Sequence, residues 1–339
     1  MVTYRVTSAF DRHLPLVRIS VIIPSFKRPQ FLEKALRGLV CQRRMPDQVV
    51  LGVRENDEET AQFLATQPTQ PARQLPLETA VTREPGVIAA MSAAAAKTTG
   101  DVVCLLDDDA EPEPDWLEKI EARFREEPRL GVLGGRDLLQ DHPEMRRNEP
   151  TTECVGLFKW YGRILGNHHR GAGAYRPVQI VKGCNAAVRG PLLRKIGFEQ
   201  HLRGRGAQVH WELALCLDVA NEGYTVAYDP AIRVLHHIAP RHDDDLTHRG
   251  FFSPQGLSDM IWNEHFIVAT RCGRFRRAMH LAWALLIGTK AAPGAVQYLR
   301  LLREGDPHRR AKLRTTLRSL WDGCTTPLPA KVLELRQEP

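Results

Sequence analysis

Hydrophobic positions along the chain follow two alternating rhythms. Residues 18 to 23 (RISVII) form a β-branched run closed by Pro24, and Phe31, Leu32, Ala35, Leu36 and Leu39 then recur at helical spacing. The pattern repeats. Residues 48 to 53 predict a second strand, the Ala-rich 87 to 97 a helix ended near Gly100, and 101 to 106 (DVVCLL) a buried strand. Alternation of this kind predicts a parallel sheet covered by helices on both faces. In such sheets ligands bind beyond the carboxyl ends of the strands. Further on, residues 116 to 127 read as a surface helix stopped by Pro128, 179 to 188 as a strand, 211 to 222 as a helix and 224 to 228 as a strand. Residues 258 to 321 look mostly helical. The proline-rich 66 to 76 reads as a surface loop, and the Gly-, His- and Arg-rich 140 to 178 as irregular. There is no internal repeat.

Composition adds an exclusion and a charge map. With 339 residues, 43% hydrophobic and 26% charged, the chain is neither disordered nor collagenous nor a small disulfide scaffold. Its net charge of +7 is unevenly placed: residues 271 to 339 hold 14 Lys or Arg against 5 Asp or Glu, a net +9, which leaves −2 for residues 1 to 270. The seven cysteines are odd in number, widely spaced and form no C-x-x-C pair, which favours reduced thiols in a cytosolic protein over a zinc site. The first sixteen residues have no apolar core of the secretory kind. The longest apolar stretch, 281 to 287, falls far short of the ~20 residues that cross a bilayer. These features predict a protein without a membrane span.

Asp107, Asp108 and Asp109 follow the apolar strand directly. Three adjacent anions repel one another unless a cation neutralises them. Hard oxygen ligands suit Mg²⁺ or Mn²⁺, and alternation along an extended chain lets Asp107 and Asp109 share one side. Such a metal would bridge a diphosphate. A solvated acidic turn is the competing reading.

Four segments carry a resemblance: SVIIPSFKRPQFLEKALRGLVCQ, REPGVIAAMSAAAAKTTGDVVCLLDDDAEPEPDWL, KGCNAAVRGPLLRKIGF and YDPAIRVLHH. In order and spacing they resemble the motifs of glycosyltransferase family 2, enzymes of the GT-A fold, over about residues 18 to 240. The resemblance implies an α/β fold of Rossmann-like, mostly parallel sheet flanked by helices, with a helical C-terminal extension. It divides the chain into an N-terminal extension (1 to 17), a catalytic domain (18 to 248) and a basic helical region (249 to 339). It also implies an inverting, metal-dependent transfer of a sugar from a nucleotide-diphosphate donor to a hydroxyl of a glycan or lipid-linked acceptor. Mg²⁺ or Mn²⁺ is the implied cofactor.

Carried over residue by residue, the D-x-D maps onto Asp107 and Asp109 as metal ligands, with Asp108 between them at the sugar nucleotide. His236 matches a histidine that often adds a metal or diphosphate contact, with His237 as close competitor. The base position falls on Glu212, ahead of Leu215 to Leu217 (LCL) and Gly223, although Trp211 replaces the acidic residue usual before it. Pro24, Ser25 and Arg28 lie where the family packs the nucleotide base. The family's aspartate after the second strand is missing, which leaves Glu55 and Asp57 as candidates, and Arg83 lies just upstream of a helix that lacks the usual Arg-Asn. Gly183, Asn185 and Trp211 fall beside the acceptor, with a purely structural hydrogen bond as the alternative for Asn185. Residues 242 to 248 (HDDDLTH) read as a loop over bound nucleotide, from which Arg241 and Arg249 would reach the diphosphate.

Two other classes stay open. A nucleotidyltransferase would use the same carboxylates but release pyrophosphate, and a non-catalytic glycan- or membrane-binding protein would explain the departures. In the tail, residues 274 to 290 put cations at both ends of an apolar segment containing Trp283, with Pro293 starting the next helix. This suits a cytoplasmic protein touching an anionic membrane surface. The alternative packs Leu281, Leu285 and Leu286 on the catalytic domain. Nucleic acid is not an expected partner, because aromatic residues are too few among the basic ones.

Overall fold

The computed structural model describes residues 17–66, 74–140, 150–242 and 252–325. The expected N-terminal extension, most of the proline-rich loop, Arg249 and nearly all of the HDDDLTH loop lie outside the described residues, as does the 248/249 boundary.

The first half contains the strands and helices that the hydrophobic rhythm predicts, together with a strand at 77–82 and a helix at 58–66 that it does not. Strands β1 (Ile19–Ser25), β2 (Gln48–Arg54), β3 (Leu77–Thr82) and β4 (Val102–Leu106) alternate with helices α1 (Pro29–Val40), α2 (Glu58–Thr66) and α3 (Val87–Ala95). After β4 come a three-residue β5 (Ala110–Pro112), α4 (Trp116–Glu126), the long β6 (Leu130–Leu139), a small hairpin β7 (Leu157–Phe158) and β8 (Ile164–Leu165), and β9 (Arg176–Pro177). Next are β10 (Asn185–Arg189), α5 (Gly190–Ile196), α6 (Trp211–Asn221) and β11 (Thr225–His236). Four helices finish the described chain: α7 (Pro254–Arg271), α8 (Arg274–Leu286), α9 (Ala295–Arg303) and α10 (Arg309–Thr325).

The nine-stranded sheet has the order β3-β2-β1-β4-β10-β6-β11-β5, with β9 also paired to β11. It is mostly parallel, but β10 runs antiparallel between β4 and β6. The chain reaches β10 from the edge where β4 ends, pairing Asn185 with Leu106, so it must run back through the sheet. Expected strand 179 to 188 is therefore shorter and shifted. Strand β11 exceeds its expected 224 to 228 because a register irregularity between Asp229 and Arg233 lets it continue beside β6 to His236.

Two cores cover the faces, as the period-two alternation of strand side chains requires. In β1, Ile22 joins one core while Ile19, Val21 and Ile23 join the other; in β4, Val103 and Leu105 oppose Val102, Cys104 and Leu106. Helix α7 contributes Trp262, Phe266, Ile267 and Val268 to the first core, so the C-terminal helices are built onto the sheet domain rather than beside it. A third, smaller cluster joins Leu257, Met260 and Ile261 of α7 to Trp283 and Ala284 of α8 and Leu320 of α10. Pro293 lies ahead of α9 rather than within it, and Gly294 is the capping residue. Of the three tail leucines, Leu281 packs on the small cluster, whereas Leu285 and Leu286 are exposed. Among the described residues no helix is long and apolar enough to cross a membrane.

Candidate active site

The carboxyl ends of β1, β2 and β4 open onto one cavity of about 1510 Å³. Pro24, Ser25, Arg28, Asp107, Asp108, Asp109, Gly183, Trp211, Glu212 and His236 all line it. The turn after β4 carries the three aspartates and reverses into β5, whose Ala110 pairs with His236 of β11. That register brings His236 Nε2 within 3.3 Å of Asp109 Oδ1. One donor atom each from Asp107, Asp109 and His236 lies within 4.8 Å of the others. His237 faces Glu111 instead, with 3.2 Å between Nε2 and Oε2, which separates the two histidines.

Charges are arranged unequally across this cluster. Asp108 is buried, accepts from Ser25 Oγ at 2.9 Å and from Arg28 Nη1 at 3.0 Å, and burial still pushes its carboxyl up to about 7. Asp107 is raised too, by burial and then by the neighbouring Asp109. Burial alone would raise Asp109, but the His236 hydrogen bond and charge, Arg28 and the Ala239 N–H hold it at about 2. Two carboxylates and an imidazole, with the carboxylates crowded against each other, make a donor set that fits Mn²⁺ or Mg²⁺.

Behind them lies a pair that the sequence alone does not reveal. His236 Nδ1 is 3.4 Å from Asp137 Oδ2, and the same oxygen accepts a hydrogen bond from Lys182 Nζ. Asp137 is fully buried near the end of β6, and its carboxyl is held far below the ordinary range because the Lys182 and His236 charges outweigh burial. His236 is in turn raised well above its ordinary value, since Cys184, Asp109 and Asp137 together overcome desolvation. The signal for Lys182 is its place directly before Gly183 in the KGCN motif; Asp137 carries none, because β6 itself is not an expected strand.

Glu212 opens α6. Its Oε1 accepts the Gly183 N–H at 3.3 Å, and burial pushes its carboxyl up. His210, the residue before Trp211, caps α6 with φ +77°, a left-handed conformation uncommon for a residue with a Cβ. Gly183 is required by contact: a Cβ there would overlap the Trp211 indole, which itself packs edge-on against Phe198 at 5.9 Å.

Four expected residues fall elsewhere. Asn185 does not line the cavity; it is 1% exposed, takes the Trp116 Nε1–H at 2.8 Å and donates to the carbonyls of Arg136 and Ile232. With both ends of its amide engaged inside the sheet, it holds strands together, the structural alternative. Asp57 is 1% exposed and accepts from the Thr60 N–H and hydroxyl and from the Lys27 N–H, capping α2. Glu55 and Arg83 pair with each other at 3.0 Å on the surface, outside the cavity lining. Phe26 and Arg54 line the cavity on this side, with the guanidinium 4.1 Å from the ring centroid. Arg54 ends β2, and position at a carboxyl edge is the signal for it.

The model of the glycosyl transferase family 2 matches residues 20–197, just over half of the chain. The chain belongs to glycosyl transferase family 2. A glucosyl-dolichyl phosphate glucuronosyltransferase of Haloferax volcanii is 28% identical over 173 residues, which span 48% of this chain and 51% of that protein. The chain thus matches about half the length of that relative. Two solved structures share the fold. One is the mannosyltransferase PcManGT of Pyrobaculum calidifontis in complex with GDP-Man and Mn²⁺, with TM-score 0.53 and 20% identity over 94% of this chain and 79% of that one. The other is S. aureus TarS in complex with UDP-GlcNAc, with TM-score 0.59 and 14% identity over 94% and 83%. At these identities the likeness extends to the fold alone, the GT-A arrangement.

Proposed function

We propose that this family 2 protein is an inverting, divalent-metal-dependent glycosyltransferase that moves a sugar from a nucleotide-diphosphate donor to a hydroxyl of a glycan or lipid-linked acceptor. The observation that carries the reading is the meeting of Asp107, Asp109 and His236 in the cavity that Glu212 also lines. Asp107, Asp109 and His236 would hold Mn²⁺ or Mg²⁺. When bound, the ion neutralises the diphosphate and stabilises charge on it as it leaves.

The chain's own residues do the rest. Arg28, 19% exposed at its side chain and tied to Asp108, presents a cation at the same edge, and Phe26 with Arg54 offers a flat wall for the base. Glu212 accepts the proton of the acceptor hydroxyl, a role that suits a carboxyl raised by burial toward the working pH. Mn²⁺ in the PcManGT complex and the nucleotide sugars in both solved relatives support this reading. So does the lipid-linked sugar in the name of the Haloferax relative, as one acceptor class. A cytoplasmic site of action at the inner membrane face agrees with the basic tail.

Release of nucleoside diphosphate from a panel of sugar nucleotides, with Mn²⁺ or Mg²⁺, tests the reading. Wild type should turn over at least one donor and Asp109→Ala none. Equal release by both proteins refutes it, and release of pyrophosphate instead would identify a nucleotidyltransferase.

A further inference from the structure

The cavity is larger than its donor end requires. Small-molecule sites occupy roughly 300 to 1,000 Å³, whereas this one reaches about 1510 Å³. The surplus has a different chemistry. Around the acidic turn the lining is charged, with Arg28, Lys182 and His236 near the aspartates and Arg54 also lining the cavity. Elsewhere the wall is apolar: Val209, ahead of α6, and Met260, Ile261, Trp283, Ala284 and Leu320 of the C-terminal helices line it. Five of these six belong to the third apolar cluster and Val209 packs against it, so the apolar end is built from a core separate from those on the sheet.

Polar side chains line the cavity as well. Glu264 of α7 is 3.3 Å from His210 Nε2 and 3.6 Å from His280 Nε2, and all three line the cavity. On α8 and just after it, Trp283 and Ala284 line the cavity, Leu285, Leu286 and Ile287 are 40%, 63% and 42% exposed, and Gly288 to Ala292, with Thr289 and Lys290 among them, line it again. Three exposed aliphatic side chains therefore adjoin the lining in sequence on both sides. On the next helix Val296, Leu299 and Leu302 are exposed alongside Arg300 and Arg303.

We infer that the apolar end is a subsite for the hydrocarbon chain of a lipid-linked acceptor, entering past Leu286 and Ile287 and placing its sugar hydroxyl at Glu212. The inference rests on the glycosyltransferase reading and commits it to one acceptor class. These side chains offer a soluble glycan no hydrogen-bond partner, whereas a chain of methylenes matches their chemistry. The three exposed aliphatic side chains, followed by the arginines of α9, set the mouth against an anionic bilayer, from which such a chain would come.

The test uses full-length protein and n-alkyl β-D-glucosides from methyl to octyl, below their micellar concentrations, with binding read by calorimetry. GDP and UDP binding in Mn²⁺ is measured in parallel. Each fully buried methylene strengthens binding by up to about fourfold, so octyl should bind at least ~10-fold more tightly than methyl. Ala284→Trp, which fills the subsite, should abolish that chain-length dependence and leave nucleotide binding unchanged. A diazirine-bearing octyl glucoside should label the segment around Trp283 or Leu320 in wild type, which serves if Ala284→Trp does not fold. Equal binding of methyl and octyl, or labelling confined elsewhere, overturns the subsite while the donor reading stands. Chain binding with no nucleotide binding overturns the acceptor role and the glycosyltransferase reading together.

Discussion

Replacing Lys182 with methionine isolates the pair behind the candidate metal ligands. The substitution keeps most of the side-chain volume and removes the charge facing Asp137, whose side chain is wholly buried and whose Oδ1 has no hydrogen-bond partner. Removing one partner of a buried pair costs roughly 3 to 5 kcal/mol. Two features lower the figure here: 36% of the Lys182 side chain faces the open cavity, where water screens the pair, and His236 stays at 3.4 Å from the same oxygen. The expected loss is about 2 to 3 kcal/mol. Urea denaturation at pH 7 without metal measures it, with the slope checked so that a midpoint shift reads as stability. Because the Asp137 carboxyl is depressed in the folded protein, its contribution is present above the unfolded carboxylate value of ~3.9 and fades as pH falls below it. The deficit of Lys182→Met should therefore shrink on acidification below about pH 4. Lys182→Met with Asp137→Asn should cost less than the sum of the two single changes, since the orphaned charge is gone. A loss under ~0.5 kcal/mol at pH 7, or strict additivity, would refute the pairing argument.

Three further outcomes follow from geometry. Glu212→Gln should lower kcat by ~10² to 10⁴ while leaving donor binding intact, and the wild-type rate should fall on acidification through a limb above the ordinary glutamate value of ~4.3, because burial raises this carboxyl and only its ionised form accepts a proton. A wild-type limb at or below that value would remove Glu212 as base. Asn185→Ala should destabilise by about 1 to 3 kcal/mol, since it strands the buried Trp116 indole N–H, with acceptor KM unchanged among molecules that remain folded. Gly183→Ala forces a methyl into the Trp211 ring and should cost about 1 to 3 kcal/mol with a shift in tryptophan emission; an unshifted spectrum at full stability would show that the ring has room to move.

Legibility from the sequence follows the strength of local signals. Strands β1, β2 and β4 carry apolar runs, and the acidic turn stands directly after one of them, so the residues alone delineate the acidic end of the candidate site. Strand β6 is invisible at that level because LGVLGGRDLL mixes glycines and charges into a run that pairing alone makes a strand. With β6 missing, Asp137 has no place and the second partner of His236 is lost. Asn185 and Asp57 mislead for a related reason. Each has the chemistry of a ligand-binding residue, but local backbone geometry consumes its polar atoms, and only three-dimensional contacts show which donors they satisfy. The apolar end is hidden for want of pattern: Met260, Trp283 and Leu320 are far apart in sequence and meet only when three helices pack.

The pairing of Ala110 with His236 makes the candidate metal centre sensitive to length rather than to residue identity alone. Adding or removing one residue of β11 beyond Arg233 would turn the imidazole to the opposite face of the sheet, away from Asp109, whatever side chains were kept. The irregularity between Asp229 and Arg233 offers a place where such a change can be absorbed without moving the ring. Variation in length among related chains should therefore collect at residues 229 to 233, while the distance from there to His236 stays constant.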